Sequence, residues 1–127
     1  MYSLEGIEKK QNIKFPKKYK QLYKSNFKEI DNRIAIHVGD DVFCISKFLT
    51  ITEINGILEE FYDFFGYDIF SVAETDDDNY ICLYYKENIK KSSIIYWNYE
   101  LALENQEEGI LFLYDSIYEF ETKMIKK

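Results

Sequence analysis

Ile13-Lys14-Phe15-Pro16-Lys17-Lys18-Tyr19-Lys20-Gln21-Leu22 is the stretch on which the reading of this chain turns. Proline fixes its own φ and lacks an N–H, so Pro16 belongs in the first turn of a helix. Residues 11–16 then form a turn between two helices. The first is capped by Ser3, runs to about Lys10 and faces Leu4 and Ile7 inward. The second runs from Pro16 to about Asn26 with Tyr19, Leu22 and Tyr23 as its apolar stripe.

Beyond these helices the pattern changes to period two. Arg33 to Val38 alternates, Gly39-Asp40-Asp41 is a turn, and Val42 to Ser46 completes a hairpin. Thr50 and Glu53 form a capping box for a helix carrying Ile54, Ile57, Leu58, Phe61, Tyr62 and Phe65, with Gly66 as its C-cap. Tyr67 to Ala73 and Tyr80 to Tyr85 are strands joined by a turn at Asp76 to Asn79. Ser93 to Asn98 is a further strand, and Leu101 to Glu108 is irregular, with either strand or helix character. Ile110 to Leu113 is a short apolar strand. Ser116 and Glu119 form a second capping box, opening a helix that turns Ile117, Phe120 and Met124 inward. The order predicts an α+β fold in one domain, residues 1–127, with a mostly antiparallel or mixed central sheet.

The 127 residues suffice for a core without metal or disulfide support. Cys44 and Cys82 lie in strand-like runs outside any CxxC pair and read as buried free thiols of a cytoplasmic protein. Their lying on adjacent strands, which would permit a disulfide, stays open. No apolar run is long enough for a membrane span, and the first residues are not a signal peptide. Twelve Tyr and ten Phe suit a core with half-wet rims, or a protein-binding face. Net charge is −7, split between a +5 segment over residues 1–30 and a −12 body over residues 31–127. An acidic body disfavours nucleic-acid binding.

Residue chemistry yields no enzyme signature. His37 is the only histidine and reads as an exposed strand residue. Asp76-Asp77-Asp78-Asn79 fails the EF-hand pattern, because the sixth loop position would be Ile81 where glycine is needed. Phosphate-binding glycine loops and nucleophile elbows are absent. No cofactor, metal or catalytic residue is expected. Trp97 shares a strand face with Ile95 and is expected in the core.

Five segments, taken in order, resemble the SUKH superfamily, the Smi/Knr-type domain. Ile13, Phe15, Pro16 and Tyr19 match its "I-x-F-P-x-x-Y"; Phe48 to Ile54 match its central helix start; Asp76 to Leu83 match a turn leading into "Y-I-C-L". Ile95 to Glu100 match a "V-Y-Y-W-D-H-E" strand, and Ser116 to Phe120 match "S-F-x-E-F". Asn98 and Tyr99 replace the usual Asp-His pair, and the Gly-rich turn is acidic here. The resemblance implies a non-enzymatic bacterial immunity protein in the cytoplasm. Such a protein binds a cognate polymorphic or contact-dependent toxin, a nuclease in many cases, encoded by a neighbouring gene, and occludes its active site. A protein- or ligand-binding adaptor on the same fold is the alternative. Neither nucleic acid nor membrane is an expected partner, and a monomer is the favoured state. The toxin-binding surface expected from the acidic turn and nearby aromatics is Asp76, Asp77, Asp78, Tyr80, Tyr99 and Glu100.

Overall fold

A computed structural model of the chain describes residues 3–11, 13–25, 35–38, 41–65, 69–85, 92–105 and 108–124. Local signals set most of its elements. Ser3 Oγ accepts the Gly6 N–H at 2.9 Å and starts α1 (Leu4–Gln11), which buries Leu4 and Ile7. Pro16 stands at the N-cap position, one residue before α2 (Lys17–Lys24), not inside its first turn. The helix ends at Ser25, whose hydroxyl and N–H both bond back to it, so it stops before Asn26. The Glu8 carboxylate ties the two helices together. It accepts the Phe15 N–H at 2.7 Å and pairs with Lys20 at 2.7 Å.

Strands β1 (Ala35–Val38) and β2 (Asp41–Phe48) pair antiparallel, as expected, while Arg33, Ile34, Gly39 and Asp40 lie outside the described residues. The orientation expected for His37 lies outside the described side chains. The long β2 serves two neighbours. Asp41 to Cys44 pair with β1, and from Ile45 onward, with an irregularity in the ladder between Ile45 and Lys47, the strand pairs with β3 (Ile69–Thr75). Between them runs α3 (Ile51–Phe65), closed at its start by the reciprocal Thr50–Glu53 capping box. Ile54 and Leu58 are buried, while Phe61, Tyr62, Phe65 and Gly66 lie outside the described side chains and residues.

The meander continues through β4 (Tyr80–Tyr84), β5 (Ser93–Trp97) and β6 (Ile110–Tyr114). Sheet order is β1-β2-β3-β4-β5-β6, and every pairing is antiparallel. No parallel or mixed portion exists among the described residues. Two elements differ from the sequence reading. The strand through Trp97 stops there, and Asn98 turns the chain into a helix, α4 (Tyr99–Glu104), by accepting the Leu101 N–H. Residues 101–104, ambiguous from sequence, are therefore helical, and Tyr99 and Glu100 open a helix instead of ending a strand. Lastly, α5 (Ile117–Met124) buries Ile117 and Phe120. Its capping box is offset by one residue, because Glu119 accepts from the Asp115 N–H. The side chain of Met124 lies outside the described set.

Alternation along the central strands buries both sheet faces. One face (Phe70, Val72, Ile81, Leu83, Ile94, Tyr96) joins residues of α1, α2, α3 and α5 in the main core. The other gathers Ile69, Cys82, Ile95 and Trp97 beneath Ala102 of α4. Trp97 is 2% exposed and packed in that second core, as expected. Cys82 is buried, whereas Cys44 is only half-buried, and both are free thiols. They sit on β2 and β4 with β3 between, so they are not on adjacent strands.

Candidate functional site

The β3–β4 turn lies at the end of the sheet where β5 finishes and β6 begins. Tyr80, Trp97 and Ile110 form one row across β4, β5 and β6. Asn98, Tyr99 and Gly109 follow directly beyond it. The close seat of α4 here depends on Gly109. A Cβ at that position would lie 2.6 Å from both Ala102 Cβ and the Asn98 carbonyl oxygen. Asn98 in turn donates its N–H to the Gly109 oxygen at 2.8 Å.

Three consecutive aspartates occupy the turn, and they are not equivalent. All are exposed, but the Asp77 carboxylate is bonded inward. Thr75 Oγ1 donates to Oδ1, and the Tyr96 phenol donates to Oδ2 at 2.5 Å. Asn79 Nδ2 donates to the Tyr96 oxygen at 2.9 Å, and the Asn79 N–H donates to Thr75 Oγ1 at 3.1 Å. Asp76 donates its N–H to the Cys44 carbonyl on β2. Desolvation pushes the Asp77 pKa up, but the hydrogen bonds from Thr75 and Tyr96 outweigh it, so the carboxyl titrates below its ordinary value. Burial, followed by the bond to Asp77, raises the pKa of the Tyr96 phenol.

Asp77, expected only as part of a toxin-binding surface, thus also fastens the turn to β5. Asp76 and Asp78 are the carboxylates left facing solvent. Asp78 has φ 64°, the left-handed region in which Asn and Asp are the tolerated non-glycine residues. The network thus holds the tip in one shape.

Tyr80 is half-buried with its ring 6.0 Å from that of Trp97, tilted by 36°. Glu100 is exposed in the first turn of α4. Tyr99 precedes it, its side chain lying outside the described set. The topology therefore gathers all six residues expected from sequence at one end of the sheet. What sequence reasoning missed was Tyr96, Asn79 and Thr75 as the frame of the turn. Their signal was faint: a Thr-x-Asp spacing at the turn start and a tyrosine on the core face of β5.

Surface carboxylates extend from the turn to Glu104 and Glu108. Between Ser92 and Phe120 the sequence holds six acids and no Lys or Arg. The charge-balanced α1 and the basic α2 join near the opposite end of β4, where Tyr85 Oη donates to the Lys14 carbonyl at 2.7 Å. Among the described residues, no three His, Cys, Asp or Glu side chains gather to hold a metal ion. No described helix is long and apolar enough to cross a membrane.

A model of the SMI1 / KNR4 family (SUKH-1) matches residues 3–123. The chain belongs to this family. Within it, the departures Asn98 and Tyr99 gain a structural meaning, since Asn98 caps α4 and Tyr99 opens it. No curated protein and no solved structure matches the chain.

Proposed function

We propose that this SUKH-family chain is a cytoplasmic immunity protein that binds a cognate toxin domain encoded by a neighbouring gene and blocks it by covering its active site. The observation carrying this reading is the segregation of charge. A rigid acidic tip, Asp76 and Asp78 on the Asp77–Tyr96 frame, stands beside Tyr80 and the start of α4, away from the lysines of the N-terminal helices. A toxin that cleaves nucleic acid carries a cationic cleft, and an acidic inhibitor is drawn to it by long-range attraction. Tyr80 and Tyr99 supply large amphipathic rings at little conformational cost, and Glu100 adds a further charge. Blocking of this kind acts by occlusion and needs neither cofactor nor catalytic group.

Co-expression tests the proposal. Bacteria producing the toxin domain of the neighbouring gene should grow when this chain is present, and the two proteins should co-purify. Growth arrest despite abundant folded chain would contradict it and favour an adaptor role.

A further inference from the structure

At the rim of the sheet, β6 has no strand partner beyond it among the described residues. Its sequence, Ile110-Leu111-Phe112-Leu113-Tyr114, carries no charge or proline, two of the devices that keep edge strands from pairing, and its one irregularity lies past Phe112, between the Phe112 and Tyr114 pairs. Ladder parity shows which groups are open. Asn98 donates to the Gly109 oxygen, so hydrogen-bonded and non-bonded pairs alternate from there. Leu111 exchanges its bonds with Tyr96, while Ile110 and Phe112, opposite Trp97 and Ile95, turn N–H and C=O outward. The same two residues present apolar side chains. Ile110 is half-buried and Phe112 is 53% exposed. Exposed Leu101 and Leu103 flank Ala102 on α4, which packs on Gly109 at the strand's start.

We infer that the β6 edge is a docking strand for an extended, lysine- or arginine-rich segment of a protein partner, which adds to the sheet as a seventh strand. Backbone bonds to Ile110 and Phe112 supply affinity, and the Phe112 side chain supplies a contact for alternate apolar residues of the incoming strand. Charge selects this occupant. Glu100, Glu104, Glu108, Asp115 and Glu119 lie on the elements bordering the strand, and from Ser92 to the end of α5 the sequence holds a single cation, Lys123. A second copy of the chain would bring two such acidic borders together, at a repulsive cost. The inference rests on the proposed role as a protein-binding inhibitor and extends the Tyr80–Trp97–Ile110 row to its open end.

The test uses a fluorescein-labelled peptide, Lys-Val-Lys-Phe-Lys-Val-Lys, followed by anisotropy with the intact chain. Binding should be saturable, weaken with salt, and vanish when glutamate replaces lysine. N-methylation of alternate peptide amides should weaken binding by about tenfold or more, because it removes ladder donors without touching the protein. Phe112→Lys, which places a charge on the edge, should weaken it by about tenfold at an unchanged melting temperature. No saturable binding, or binding indifferent to both changes, overturns the inference. So does a dimer that Phe112→Lys converts to monomer. A chain that protects against the toxin but ignores the peptide sinks the edge inference alone; one that binds the peptide but protects against nothing sinks the immunity reading alone.

Discussion

The Tyr96 phenol donates to the Asp77 carboxylate at 2.5 Å, joining the tip of the β3–β4 turn to the middle of the sheet. This bond makes an acidic surface loop part of the folded frame. Tyr96→Phe removes it together with the shorter of two Asn79 Nδ2 bonds, leaving the 3.4 Å bond to the Asp77 carbonyl oxygen. A loss of about 1–3 kcal/mol in unfolding free energy is expected from the two lost hydrogen bonds, one of them to a charged carboxylate. Urea denaturation of the two proteins checks it, and an unchanged midpoint would show that the bond contributes nothing.

The pH dependence has a fixed sign. Asp77 titrates below its ordinary value when folded, so its contribution is fully present above the unfolded carboxyl range, near pH 4, and is lost as pH falls through the folded value. Tyr96 titrates above its ordinary value of 10.0 when folded, so its contribution is present below pH 10 and lost as pH rises beyond. Melting temperature against pH should lose part of its acid slope in Asp77→Asn. An identical acid slope in both proteins would contradict the role given to Asp77.

Two glycines should respond in opposite directions to alanine. Gly109→Ala forces a Cβ to 2.6 Å from a backbone oxygen and should destabilise the α4 seat. Gly56 lies exposed in α3 with nothing within 4 Å of a built Cβ, so Gly56→Ala should stabilise by roughly 0.5–1 kcal/mol. Thermal melts of the pair read both signs at once.

Trp97→Ala should cost about 3–5 kcal/mol, since the indole fills the second core between Ile95, Cys82 and Ala102. Chemical denaturation measures it. A near-neutral result would move Trp97 from the core to a binding face.

The two thiols should differ in reactivity. Burial pushes the Cys82 pKa up to about 12, only partly offset by the hydroxyl of Ser71 at 3.5 Å. Cys44 is half-buried. An aromatic disulfide reagent at pH 8 should therefore label Cys44 first, and Cys82 on the timescale of unfolding. Equal rates for the folded protein would contradict the packing around Cys82.

Sequence legibility followed the range of the interactions. Ser3, Thr50–Glu53 and Ser116–Glu119 act within one helical turn, so the helix starts were readable from spacing alone. The meander was readable because alternate residues of β3, β4 and β5 are apolar on both faces. By contrast, α4 hid behind its short length, and its Asn98 cap reads equally well as a strand end. All of the expected site residues lie at one end of the sheet, yet the frame holding them was invisible. Tyr96 lies 19 positions from Asp77, and no local pattern announces a bond over that separation. Gly109 was equally silent, since its need arises only once Ala102 lies against it.

The central claim, that Asp76 and Asp78 draw in a cationic toxin domain, is tested most directly by stopped-flow association of the purified pair at low and high salt. The variant Asp76→Asn/Asp78→Asn spares Asp77 and hence the frame of the turn. The account predicts that it associates about tenfold more slowly than the natural chain at low salt, with the gap closing as salt screens the charges. Equal rates at every salt concentration would contradict it.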